Sequence, residues 1–590
     1  MIKIGGASGY WGESSMATPQ LLAANVDVLI YDYLAEITMS LLAKARMKDA
    51  SKGYAPDFIN TAMAPNLRTI AEQGVKVVSN AGGINPASCA AEMRAEVERQ
   101  GLDLKVAVVE GDELLSEVKH FAERAPSDMF SEAPFPNPAT IVSMNAYLGA
   151  FPIAEALAQG ADIVITGRVV DSALTLGPLI NTFGWQPSDF DRLAAGSLVG
   201  HILECGPQAT GGNFTDWRDV PDRANIGYPI AEVQEDGSAT ITKPEGTGGL
   251  VTKATIAEQI VYEIGDPGAY LLPDVSCDFR NVEITETGRD RVNVKGAKGT
   301  PPPPTLKVCA THVEGWRGGL LVTFYGFEAS EKAKDFADCA FDRAESTLRS
   351  KNLSPYTDKS IEVLGSGSQF GDEQQADEVV LKIAARHTEQ AGITALLKEA
   401  AGMGLATAPG LCGFAGGRSK PTPVVKLFSF QVDKSEVVPT LNFGDGSVRV
   451  PTLDVVHTNI LQTENVRINA PSYTDEMIDV LLIDVAYARS GDKGNDANIG
   501  VIARHPDIFP FLWDQLTESA VSDHFSHVLE GKVQRFALPG FNAMNFLLTR
   551  SLGGGGIASL RNDPQGKGFS QVMLSLPISI PKHLLAEIEG

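Results

Sequence analysis

Short, mostly apolar runs alternate with amphipathic stretches over the first 215 residues. Residues 26–31, 75–79, 104–109 and 161–166 have the near-continuous β-branched character of strands covered on both faces. Between them, 37–48, 86–100, 149–159 and 172–181 carry helical spacing with one apolar face. Strand then helix, repeated, predicts an α/β unit over 1–215: a Rossmann-like parallel sheet with right-handed crossovers and helices on both faces. A closed barrel stays open as the alternative, although it would need about 250 residues of regular alternation.

Near residue 216 the texture changes. Residues 230–233 and 239–242 flank Glu235-Asp236-Gly237, an Asp-Gly turn suited to closing a hairpin. Pro301 to Pro304 stiffen the chain before strand-like runs at 306–310 and 320–324, and helical spacing returns at 330–349 and 377–401. The pattern predicts a middle α+β unit over 216–450. After irregular sequence at 429–474, a new strand-like run starts at 477–486. A C-terminal α+β domain is therefore expected over 476–590, with a helix around 514–530, a helix start near Asn542 and strand pieces at 533–538 and 573–576.

Composition narrows the function classes. With 43% hydrophobic and 21% charged residues the chain reads as folded, and 49 Lys plus Arg against 73 Asp plus Glu give a net charge of −24. That balance disfavours nucleic acid and anionic membrane surfaces as partners. The six cysteines form no Cys-x-x-Cys pair, so neither a metal centre nor a disulfide scaffold is expected. No basic segment followed by an apolar one opens the chain, and the apolar stretch at 400–417 is interrupted by Pro409 and glycines. The expectation is a cytoplasmic protein, homo-oligomeric on general grounds.

Candidate chemistry gathers in glycine-containing turns. Gly6, Ser8, Gly9 and Tyr10 follow the apolar start at 1–4, where backbone N–H groups can meet an anion at a strand's carboxyl end. The run matches neither the dinucleotide fingerprint nor the nucleotide-phosphate loop, and a tight turn with local packing is the alternative. Asn80, Gly82 and Gly83 repeat the arrangement before Pro86, and Arg168 with Asp171 does so after 161–166. Arg168 can clamp a carboxylate or phosphate, or simply pair with Asp171 or Asp162. His201 and Glu204, three apart, share a helix face as an acid–base or a structural pair. Gly211, Gly212 and Arg418 lie in further polar loops. The run from Ala488 to Asn498 offers Arg489 and Ser490 for binding and Asp492 and Lys493 for proton transfer, with internal ion pairing as the alternative. No Gly-x-Ser-x-Gly or His-Glu-x-x-His motif occurs.

Taken together, residues 6–14, 80–86, 160–173, 206–213, 413–420 and 488–500 resemble the acyclic terpene utilisation protein AtuA family. The resemblance spans nearly the whole chain and implies a large N-terminal domain followed by an AtuA-like domain with a ferredoxin-type fold. It also implies a place in the catabolism of citronellol- and geraniol-type terpenoids, which proceeds on branched acyl-CoA thioesters. That context points to a lyase, a hydratase or carbon–carbon lyase, acting on a branched acyl-CoA or hydroxy carboxylic acid. No cofactor is expected beyond coenzyme A carried by the substrate. Asp171, Glu204, Asp492 and Lys493 are then the acid–base candidates, and the glycine turns with Arg418 the anion-binding ones. The rival expectation is a non-catalytic acyl-CoA-binding or assembly subunit. The N-terminal glycine run and the run at 488–498 are expected to close on one cleft.

Overall fold

Five parallel strands centre the largest sheet of this computed structural model, which describes residues 1–413, 419–444, 446–450, 468–469, 471–473 and 476–589. In chain order the strands are β1 (Ile2–Gly6), β2 (Val28–Tyr31), β3 (Lys76–Ser79), β4 (Val106–Glu110), β5 (Ile141–Ala146), β6 (Ile163–Thr166), β7 (Ile230–Val233) and β8 (Ala239–Thr242). The parallel core runs β1-β2-β3-β6-β4, with Gly6 beside Ile30, Tyr31 beside Ser79 and Ser79 beside Ile165. Side chains alternate between two cores: Ile4, Ile30, Val78 and Val164 fill one, and Leu29, Val77, Val108 and Ile165 the other. Each such burial is worth about 1.5–3 kcal/mol, and two covered faces explain the unbroken apolar runs.

The hairpin β7–β8 joins this sheet antiparallel to β1, and the hairpin Glu283–Gly288 with Arg291–Lys295 extends it beyond β8. On the far side Thr440–Asn442 and Ser447–Arg449 complete eleven strands, so the sheet draws on chain from both sides of residue 215. Gly237, at φ 87°, supplies the conformation that the β7–β8 turn needs.

β5 leaves the large sheet and pairs with a 21-residue strand, Thr305–Tyr325, whose ends are the two runs read separately at 306–310 and 320–324. Thr422–Asp433 and Glu378–His387 flank that strand, and the helices Ala329–Ser350 and Gln390–Gly402 pack on the sheet. Only the second half of the expected helix at 377–401 is helical. Val379, Leu381 and Ile383 are buried while Val380 and Lys382 are less so, a two-residue period that overrides the helical reading.

In the C-terminal domain Ala486–Lys493, Asp496–Ala503, Ala543–Leu548 and Val533–Leu538 form an antiparallel sheet in that order, and Met477–Leu481 pairs with Pro577–Pro581. Two short helices, Phe509–Gln515 and Glu518–His524, replace the single helix expected around 514–530. Asn542, at φ 57°, precedes a strand rather than a helix, and the piece at 573–576 begins with the last residue of the helix Phe569–Met573 and continues as a turn instead of forming a strand. Among the described residues no helix is long and apolar enough to cross a membrane.

Candidate functional site

The carboxyl ends of β1, β2, β3 and β6 bring Ser8, Asp32, Asn80 and Arg168 to one edge of the sheet, the edge where open α/β folds receive ligands. Ser8 is buried and donates to the Asp32 carbonyl at 2.8 Å. Asn80 donates to Asp32 Oδ1 at 2.7 Å and accepts from the Tyr33 amide at 2.8 Å. Arg168 lies over the Tyr147 ring and pairs with Asp171 at 2.8 Å, while its backbone N–H is held by the Asp112 carboxylate. Burial, reinforced by Asp171 and Glu204, raises the Asp32 pKa well above the usual carboxylate range, against Asn80 and Arg168.

Close backbone approach then delivers Glu204. The helix Phe190–Leu203 ends against β1, where a Cβ on Gly6 would stand 2.7 Å from the Leu203 carbonyl oxygen and one on Gly9 2.8 Å from the Cys205 carbonyl carbon. Neither distance is tolerable, so both glycines are needed for this contact. Gly82 does the same at β3, where a Cβ would overlap the Thr166 carbonyl, and Gly83 takes φ 55°.

Glu204 and His201 form one proton-sharing unit. His201 Nδ1 lies 2.9 Å from Glu204 Oε1 and Nε2 3.2 Å from the Ile260 carbonyl, which can only accept. Nε2 therefore carries a hydrogen, and the remaining proton sits either on Nδ1 or on the carboxyl. Burial raises the Glu204 pKa and Asp171 adds to it, while His201 and Lys493 pull it down. Burial opposes charge on His201, but Glu204 outweighs it and the imidazole pKa is raised. The second oxygen, Oε2, is buried without a hydrogen-bond partner among the described residues.

The C-terminal domain supplies the other wall. Lys493 stands 3.7 Å from Glu263, Lys567 3.0 Å from Glu263 and 3.7 Å from Asp492. Glu263 adopts φ 58° just beyond the helix Lys253–Val261, a strained conformation for a residue with a Cβ. Burial opposes its charge, yet Lys567 and Lys493 hold its pKa below the ordinary value. Cys205 sits in the same cluster, its thiol pushed well up by burial and by Glu204 and Glu263.

The domain is held there by polar contacts from the run at 486–503. Asn498 donates to the Val261 carbonyl and accepts from the Gly265 amide, both at 2.9 Å, and Asn545 donates to Asn498. Arg489 donates to the Asn213 carbonyl at 2.7 Å and faces the Tyr262 ring, while Ser490 is tied within its own domain, accepting from the Ser570 amide at 2.8 Å. A Cβ on Gly491 would overlap the Glu263 carboxylate.

The structure thus brings together Asp171, Glu204, Lys493 and Arg168, with Asp492 on the flank. Arg489 serves the junction between domains, whereas Ser490 bonds within the C-terminal domain to Ser570 and Lys567. Tyr10 is 60% exposed, and Gly211 and Gly212 close a turn against Val220 and Pro207. Arg418 lies outside the described residues. Asp32, Glu263 and Lys567 were missed in the sequence. Asp32 was readable as the first polar residue after the 28–31 run, and Lys567 as the cation between Gly566 and Gly568. Glu263 carried no signal, since its place depends on a left-handed backbone.

Two family models match the chain. The model described as acyclic terpene utilisation family protein AtuA covers residues 2–443, and the AtuA ferredoxin-like domain covers 480–579. No curated protein and no solved structure matches it. As the motif resemblance implied, the chain belongs to the acyclic terpene utilisation family AtuA.

Proposed function

We propose that the chain is an acid–base enzyme of the lyase type, a hydratase or carbon–carbon lyase, acting on a branched acyl-CoA or hydroxy carboxylic acid. The observation that carries this reading is the buried Glu204 carboxyl, with one oxygen bound to His201 and the other unpartnered among the described residues. A carboxyl whose pKa burial raises is a better proton acceptor than a free carboxylate and can return the proton it takes up. His201 keeps that proton in the pair and is a positioning residue. Lys493 and Lys567 offer positive charge where an enolate develops beside a thioester or carboxyl group, and Arg168 places a further cation at the sheet edge. Asp171 and Asp32, whose pKa burial raises, are the second pair of carboxyl groups available for water or a leaving hydroxyl.

The test is hydration of a methyl-branched enoyl-CoA, followed by loss of the conjugated double bond. Glu204→Gln is expected to lower kcat by about 100-fold or more with little change in thioester binding, and Lys493→Met to lower it by a smaller factor. Full activity in both variants refutes the assignment. A wild-type chain that binds the thioester without turning over any branched enoyl or hydroxyacyl substrate favours the binding-subunit reading instead.

A further inference from the structure

In a chain with a net charge of −24, one cavity of about 750 Å³ is lined, among the described residues, by four cations and no carboxylate. The cations are Arg317, Lys382, Lys420 and Arg561, and Ile37, Leu320, Ile557 and Leu560 supply apolar wall. The strands Thr305–Tyr325 and Glu378–His387 contribute the floor, which includes Gly318 and Gly319, and residues 556–564 of the C-terminal domain contribute the opposite side. None of these residues belongs to the Glu204 cleft.

Two of the cations are already matched nearby. Lys382 pairs with Glu362, and Arg561 reaches Glu530 at 3.5 Å. Arg317 differs. It is half-buried and donates to the Ser559 carbonyl at 2.9 Å, but among the described residues no carboxylate pairs with it. Burial and the neighbouring Arg386 guanidinium lower its pKa. Lys44, on the helix Glu36–Lys48, is likewise depressed by burial and then by Arg317, so excess positive charge is felt beyond the cavity. Lys420, on the exposed rim, also lacks a carboxylate partner among the described residues. A half-buried guanidinium without a counter-charge is costly, and a bound anion removes that cost.

A single carboxylate would neutralise one of these two unmatched cations. A phosphate dianion or a pyrophosphate neutralises both and uses the planar donor fork of Arg317. We propose that this cavity binds a phosphate or pyrophosphate group carried on an apolar body, with Arg317 as the central contact and Lys420 at the rim. The site is independent of the reaction proposed for the Glu204 cleft.

The experiment is calorimetric titration of the full chain with inorganic pyrophosphate, with octanoate as the apolar monocarboxylate control. Pyrophosphate is expected to bind, with Kd raised by about tenfold or more in Arg317→Met and by a smaller factor in Lys420→Met, and to raise the wild-type melting midpoint. Lys420 is exposed, so its variant keeps the test alive if Arg317→Met does not fold. Failure of pyrophosphate to bind, or an unchanged Kd in whichever variants fold, overturns the proposal. Tighter binding of octanoate than of pyrophosphate overturns it too, because the site would then be one for a monocarboxylate.

Discussion

Asp112 tests how the loop bearing Arg168 and Asp171 is held. Its Oδ2 accepts from the Arg168 backbone N–H and from Asn145 Nδ2, each at 2.8 Å, and the residue is 2% exposed. Burial is the dominant influence and pushes its pKa from 3.8 to about 6. At 1.36 kcal/mol for each pH decade, that displacement means the charged form costs the folded protein about 3 kcal/mol. Because the folded pKa lies above the unfolded one, the unfolded chain loses this proton first. The associated stability is fully present below about pH 4 and is lost as pH rises to about 6. Asp112→Asn, with its amide oxygen in the Oδ2 position, retains both acceptances without the charge. Relative to wild type the variant should therefore gain about 3 kcal/mol between about pH 4 and about pH 7.5. At roughly 2.1 cal/mol/K per residue, a cooperative unit of about 440 residues converts this to about 3 °C in melting midpoint. Scanning calorimetry of both proteins across that range measures it. A difference in midpoint that does not change with pH would show that Asp112 carries no raised pKa.

The domain junction and the proton-sharing pair give three more tests. Asn498→Ala removes the partners of the Val261 carbonyl and the Gly265 amide at a buried position and should cost about 2–4 kcal/mol, read as a lower denaturation midpoint; a change within error would show that water replaces the side chain there. Gly491→Ala forces the strand away from Glu263, so hydrogen exchange should quicken at both Ala486–Lys493 and the end of Lys253–Val261, and unaltered protection in both would contradict the packing. His201→Asn takes away a group that lowers the Glu204 pKa, so the acidic limb of the pH–rate profile for the hydration reaction should move to higher pH; a limb that stays in place means another group titrates.

The parallel strands were legible because burial on both faces leaves no polar positions, and four apolar runs reappear within a few residues of their expected places. Residues 377–401 misled because Val379-Val380-Leu381-Lys382-Ile383 satisfies strand and helix patterns over so short a window, and pairing with the 305–325 strand decides between them. Glycine turns stand at strand ends as expected, and Gly6 and Gly9 have a further reason to be glycine. There the missing side chains admit the end of another helix, and Glu204 at that end reaches the cluster.

The run at 488–498 shows why polar density alone cannot separate a ligand site from a domain junction. Both need hydrogen-bonding groups away from an apolar core, so both concentrate Arg, Ser, Asn and Gly after a strand. Register decides. Ala486–Lys493 and Asp496–Ala503 form one hairpin, and its body presents Arg489, Gly491 and Asn498 to the helix end at Val261 and to segments beside it. Only the residues nearest the turn, Asp492 and Lys493, reach the carboxylate cluster, through Glu263 and Lys567. The two roles are thus mechanically linked: the amide contacts that cap the Lys253–Val261 helix also fix Lys493 opposite Glu204. Loosening the junction at Asn498 should consequently weaken the electrostatic hold on Glu204 without touching it.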